Sequence, residues 1–224
     1  MGKNKLQRFA ENETFTNLHQ PPFLEVFKSD YRLKGRWNQE AFGQPQPITL
    51  ELGCGRGEYT LALAQAFPQR NFIGMDIKGA RLWYGAKTAH LAQTPNVQFV
   101  RGRIETINAF FAPGEVSEIW ITFPDPQLKL RREKKRLTSP LFLGRYRELL
   151  APRGIIHLKT DSLELHTYTL EVIGQQGCSL IEAHTDIDPL LDQRPELRIP
   201  TRYEAVFREQ GKPITYLAFR LPTA

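Results

Sequence analysis

Residues Ile48–Ala64 read ITLELGCGRGEYTLALA. An apolar, β-branched run passes through three glycines into a stretch with helical spacing. Glycine is needed where a chain bends sharply and where a ligand must approach the backbone closely. Gly53, Gly55 and Gly57 are spaced G-x-G-x-G, tighter than the dinucleotide pattern G-x-G-x-x-G. Glu51 stands at the carboxyl end of the run, where open α/β sheets bind ligands. Asp76 ends the next such run, NFIGMD, about 20 residues on, where an acid accepts hydrogen bonds from ribose hydroxyls.

Outward from this turn the pattern repeats. Short apolar runs recur at Phe72–Met75, Val97–Val100, Ile119–Phe123, Ile155–Leu158, Ser179–Ala183 and Ile214–Phe219. Between them lie helical patterns, the clearest being Phe142, Tyr146, Leu149 and Leu150, closed by Pro152 and Gly154. Strand–helix alternation with short connections predicts an α/β fold, a mostly parallel sheet covered by helices on both faces. Residues 1–47 read as a mobile basic N-terminal arm (Lys3, Lys5, Arg8) and lead-in segment, and 48–224 as a single domain.

The acids around the turn narrow the ligand. A pyrophosphate on a helix N-terminus is well served by the helix dipole, but Glu51 and Glu58 would oppose it. They suit a cationic or zwitterionic nucleoside better, and S-adenosylmethionine carries both a sulfonium and an ammonium group. The plainer alternative is that Glu51 and Glu58 only cap the helix start.

A second signal lies at FPDPQLKLRREKKRL, residues 123–137. Proline fixes its own φ and pushes the residue before it towards extended geometry, so Asp125 is held from both sides. The octet Lys129–Arg136 contains six cations and one glutamate. Beside a fixed acid such a run supplies phosphate contacts; alone it is more often a solvated face. The net charge of +6 and pI near 9.4 also favour a polyanionic partner.

Composition closes other routes. Cys54 and Cys178 lack metal-ligand or framework spacing, and reduced thiols are expected with no metal. No apolar run reaches membrane-span length, and the start MGKNKLQRFAENE has no signal core, so a soluble, cytoplasmic protein is expected.

Four ordered motifs, ELGCGRG, FPDPQLKLRREKKRLTSP, HLKTDS and TRYEAVF, resemble those of the tRNA (guanine-N7-)-methyltransferases, the bacterial TrmB type, from about residue 48 to 219. The resemblance implies a Rossmann-like class I methyltransferase fold with a seven-stranded sheet. It implies S-adenosyl-L-methionine as donor and guanine 46 of the tRNA variable loop as acceptor. By position, Glu51 and Asp76 would hold the donor with Gly53 and Gly55, and Asp125 would border it and act as the catalytic residue. Lys129, Asp161, Thr201, Arg202, Tyr203 and Glu204 would contact tRNA.

Two positions depart from the family pattern. Gln127 stands where a tryptophan is usual, and Arg103-Ile104 where an aspartate usually meets the adenine. By position Arg103 and Ile104 would still border the donor, with the contact to the adenine amino group left to Glu105 or to the Ile104 main chain. Competing readings are a methyltransferase with another substrate, a non-catalytic RNA-binding protein on the same fold, and a dinucleotide oxidoreductase. Asp161 reads alternatively as a helix N-cap. Glu204 reads as a surface partner of Arg202 or as half of a capping box with Thr201. Tyr31, Trp37, Trp83 and Tyr84 are base-stacking candidates but more often core, and His157 and His166 read as structural.

Overall fold

Each of the seven runs read as strands is a strand in the computed structural model, which describes residues 2–222. An eighth, Leu18–His19, adds to them. The chain divides into two units, Met1–Ala112 and Pro113–Ala224.

The first unit comprises α1 (Gly2–Asn12), β1 (Leu18–His19), α2 (Phe23–Lys28), β2 (Ile48–Leu52), α3 (Glu58–Ala66), β3 (Asn71–Asp76), α4 (Gly79–Leu91) and β4 (Val97–Arg101). Its strands run in the order β1-β4-β3-β2 and all pair in parallel. Strands β2 and β3 are buried at every position, which is why they read as continuous apolar runs instead of alternating ones. The β3–β4 register sets Asp76 opposite Arg101.

The first twenty residues, expected as part of a mobile arm, include the packed helix α1. Phe9 lies under the Arg101 guanidinium at 5.1 Å. Arg8 lies over Trp83 and Tyr84, at 5.0 and 4.7 Å from their rings. Glu11 accepts from Trp83 Nε1 (2.7 Å) and Lys87 Nζ (2.6 Å), and Asn12 donates to the Gly79 carbonyl. A segment too polar to form a core is held through cation–π and charged hydrogen bonds to α4 instead. The Lys3 side chain lies outside the described residues. Trp37 is buried and donates to the Phe110 carbonyl at 2.8 Å, so it belongs to the core, as does Tyr31.

The second unit comprises β5 (Val116–Thr122), α5 (Pro140–Leu149), β6 (Leu150–Thr160), α6 (Leu163–Gln175), β7 (Ser179–His184), α7 (Pro195–Arg198), α8 (Arg202–Glu209) and β8 (Thr215–Arg220). Strands run β5-β6-β8-β7, the first pair parallel and the rest antiparallel. Leu150, read as the last helical position, instead opens β6 opposite Val116. The Pro152-Arg153-Gly154 stretch that masked this lies at a register irregularity, with Arg153 at φ 65°. His157 stacks on Trp120 at 4.1 Å and hydrogen-bonds the Tyr216 hydroxyl through Nδ1, and His166 is buried.

Candidate functional site

In the first unit the end of β2, the glycine turn and the end of β3 form one cradle. The N–H groups of Gly53 and Cys54 both reach the Met75 carbonyl, and Gly55 N–H donates to Asp76 Oδ2 at 3.0 Å. The other oxygen, Oδ1, accepts from Lys78 N–H at 2.7 Å. Asp76 is therefore locked in place with acceptor capacity left on each oxygen, as a carboxylate offers about four lone-pair sites. Glu51 is 3% exposed and accepts from the Thr60 hydroxyl. Burial pushes the Cys54 thiol well up, and the Glu51 and Asp76 carboxylates push it further the same way, so both charges bear on the turn between them. Thr60, which sets Glu51, was not singled out from sequence; its only signal is its place on the first turn of α3.

The three glycines all have φ between 57° and 75°, yet they do different work. A Cβ on Gly55 would meet nothing within 4 Å, whereas one on Gly57 would lie 2.5 Å from the Phe99 ring and 3.3 Å from Gly85 Cα. Gly55 borders open space; Gly57 lets the start of α3 pack against Phe99 of β4 and Gly85 of α4. Gly57→Ala is therefore expected to lower stability by about 2–4 kcal/mol through overpacking and left-handed strain. Gly55→Ala is expected to cost about 1 kcal/mol of stability while removing nucleoside binding. Denaturation and binding calorimetry on the two variants check this; equal stability losses would refute the division of roles. The open space and the two carboxylates suit a cationic nucleoside such as S-adenosylmethionine.

Beyond β4, Arg103 is exposed, Ile104 half-buried and Glu105 exposed. Gly102 N–H donates to the Asp76 carbonyl at 3.2 Å, placing this segment next to the β3 acid.

In the second unit β5 runs into the Pro124-Asp125-Pro126 loop. Phe123 and Gln127 flank it with left-handed φ of 46° and 47°, a region bulky side chains rarely adopt. Phe123 N–H donates to the Lys159 carbonyl, and its ring stacks on Phe207. Asp125 is exposed, and its Oδ1 accepts from Gln127 N–H at 3.0 Å. Gln127 in turn accepts through its carbonyl from Arg136 Nε at 3.3 Å. The Gln127 side-chain oxygen is buried without a hydrogen bond among the described residues.

The cationic octet splits. Lys129, Arg131, Arg132, Lys134 and Lys135 are exposed, whereas Arg136 is buried over Tyr168 at 4.1 Å. Burial and a hydrogen bond to Glu133 push the Tyr168 phenol up to about 12. Arg136 thus braces the acidic loop; a charge run in sequence gives no sign of which member turns inward.

Asp161 does not cap α6. Ser162 does, accepting from Leu165 N–H at 3.2 Å, while Asp161 pairs with Lys212 at 3.5 Å. Thr201 caps α8 by accepting from Glu204 N–H at 3.0 Å. Glu204 is 2% exposed and pairs with Lys159 Nζ at 2.7 Å and Arg208 Nε at 3.0 Å, neither a surface partner of Arg202 nor reaching back to complete a capping box. Arg202 and Tyr203 face solvent. Lys159, fully buried, also donates to the carbonyls of Leu197 and Ile199 at 2.8 and 3.0 Å. A lone lysine in a strand gives no sequence signal for such a role.

The sequence model of a family described as "Putative methyltransferase" matches residues 45–217. A tRNA (guanine-N(7)-)-methyltransferase of Christiangramia forsetii is 51% identical over 98% of each chain. One of Bacteroides thetaiotaomicron is 48% identical over 99% of this chain and 87% of its own. Among solved structures, the 16S rRNA methyltransferase KamB superposes with a TM-score of 0.63 at 14% identity, covering 82% of this chain and 92% of its own. The 16S rRNA (adenine(1408)-N(1))-methyltransferase of Catenulisporales acidiphilia, solved with its cosubstrate SAM, gives 0.58 at 17% identity over 86% and 93%. The fold is thus the Rossmann-like class I methyltransferase fold, with eight strands here against the seven expected.

Proposed function

Because the chain belongs to the tRNA (guanine-N(7)-)-methyltransferase family, we propose that it transfers a methyl group from S-adenosylmethionine to N7 of a tRNA guanine, guanine 46 of the variable loop. The observation that carries this reading is Asp125: an exposed carboxylate, braced on both sides, followed by five exposed cations.

The donor supplies an activated methyl group on a positively charged sulfur. The Glu51 and Asp76 carboxylates favour that cation and the ribose hydroxyls, and the open turn at Gly53 and Gly55 admits them. Guanine N7 already carries a lone pair and no proton at neutral pH. As the N7–carbon bond forms the carbon–sulfur bond breaks, and no proton leaves. No general base is required, so alignment is the main task, where well-oriented reactants recover about 7–11 kcal/mol of barrier. Positive charge passes from sulfur to the imidazole ring of the guanine. Asp125 orients the base through its N1 and N2 hydrogens and stabilises that charge.

Lys129, Arg131 and Arg132 hold the tRNA backbone. Neutralising these three is expected to weaken tRNA binding and flatten its log–log salt slope by about 2–3. Arg136→Ala is expected to leave the slope unchanged and loosen the Asp125 loop instead. Filter binding across a salt series reads both, and an unchanged slope in the triple variant removes the octet from the interface. The activity itself is tested by methyl transfer from labelled S-adenosylmethionine to unmodified tRNA, with the modified base mapped by chemical cleavage. Label at one variable-loop guanine supports the assignment. No transfer, with donor and tRNA both bound, favours a non-catalytic RNA-binding protein.

A further inference from the structure

We propose that Arg103, stacked on Phe23 beyond β4, reads the donor's adenine through its ring face and ring nitrogens and not through its amino group. The inference rests on the donor assignment above. A nucleoside whose cationic end meets Glu51 at β2 and whose ribose meets Asp76 at β3 extends next to the end of β4, since the strands adjoin in that order. There the chain runs Arg101-Gly102-Arg103, with Gly102 bonded to the Asp76 backbone.

Arg103 is built to present a flat cation. Its backbone is extended, and its carbonyl accepts from both Thr106 N–H and Thr106 Oγ1, each at 3.0 Å. Its exposed guanidinium lies over the Phe23 ring at 4.8 Å, and Phe23 is itself backed by Phe27 at 5.5 Å. Phe23 remains 42% exposed. A guanidinium carries five donors and no acceptor, so it cannot take a hydrogen bond from the adenine amino group. It can donate to N1, N3 or N7 and stack on the ring. A carboxylate at this position would do the reverse, accepting from the amino group. The specificity of the pocket is therefore inverted at one edge of the base.

Calorimetry with S-adenosylhomocysteine and its N6,N6-dimethyl analogue, on the full chain, tests this. Arg103→Ala is expected to weaken S-adenosylhomocysteine about 10-fold, as for a lost charge-assisted hydrogen bond, with the melting temperature of the unliganded protein unchanged. Glu105→Gln is expected to bind as the wild type does. The dimethyl analogue, which has no amino hydrogens, is expected to bind the wild type within about threefold of the parent, since removing a donor that no group accepts leaves nothing unpaired. Normal binding by Arg103→Ala, a 10-fold loss in Glu105→Gln, or a 10-fold loss for the analogue on wild type each overturns the proposal. Absence of S-adenosylhomocysteine binding by the wild type overturns the donor assignment itself.

Discussion

Replacing Asp125 with alanine is expected to lower methyl transfer by about 10²–10³-fold, the scale seen when one preorganised electrostatic partner of a transition state is removed. S-adenosylhomocysteine and tRNA affinities should stay within about threefold of wild type. Asp125 is exposed and so contributes little to the core, and its Oδ1 is engaged by Gln127 N–H. Among the described residues Oδ2 carries no hydrogen bond, leaving it to act on a substrate. Asp125→Asn separates geometry from charge, because the amide oxygen preserves the turn to Gln127 while the negative charge is gone. Single-turnover rates on both variants decide: if the asparagine variant turns over near the wild-type rate, charge stabilisation is refuted. If the alanine variant melts at a much lower temperature, Asp125 is a structural turn.

The second large effect concerns Lys159. Lys159→Ala is expected to cost about 3 kcal/mol, because it leaves the buried Glu204 with Arg208 as its remaining cation and strips the Leu197 and Ile199 carbonyls of their donor. Burial lowers the Lys159 ammonium from its ordinary value, and the Glu204 carboxylate pushes it back up. Its remaining hydrogen bonds go to the carbonyls of Leu197 and Ile199. One ammonium thus fastens the stretch from α7 to the first turn of α8 onto β6. That stretch leads to the exposed Arg202 and Tyr203, so tRNA affinity should fall along with stability. The double variant Lys159→Met/Glu204→Leu should regain most of the stability, since apolar replacement of a buried pair is often neutral. Chemical denaturation measures each case. A loss below about 1 kcal/mol in Lys159→Ala would show that the pair anchors nothing.

What the sequence made legible was whatever depends on local pattern. The strands carried β-branched runs long enough to read, and the acids Glu51 and Asp76 announced themselves by standing at strand ends. Leu18–His19 is too short to show a period. The first half of β6 was hidden by a proline and a glycine that mark an irregularity, not a loop. Helix α1 was missed as a packed element because its contacts to α4 are cationic and aromatic instead of aliphatic. At the site, Lys159, Glu204 and Arg136 were obscured for one reason. A charged side chain reads as solvated unless its partner is known, and the pairings of Lys159 with Glu204 and of Arg136 with Tyr168 are distant in sequence. Gln127 and Arg103 broke the expected motif, and only their surroundings gave them roles: a brace to Arg136 and a flat cation over Phe23.

The left-handed residues on either side of Asp125 bear on how this chain would evolve. Non-glycine backbone held in that region costs on the order of 1–3 kcal/mol per residue, so Phe123 and Gln127 form a reserve that heat selection can draw on. A lineage chosen only for thermal endurance would drift towards glycine at 127, gaining robustness as the loop relaxed. Asp125 would then sample many orientations, and the loss would surface in turnover long before it surfaced in any melting curve.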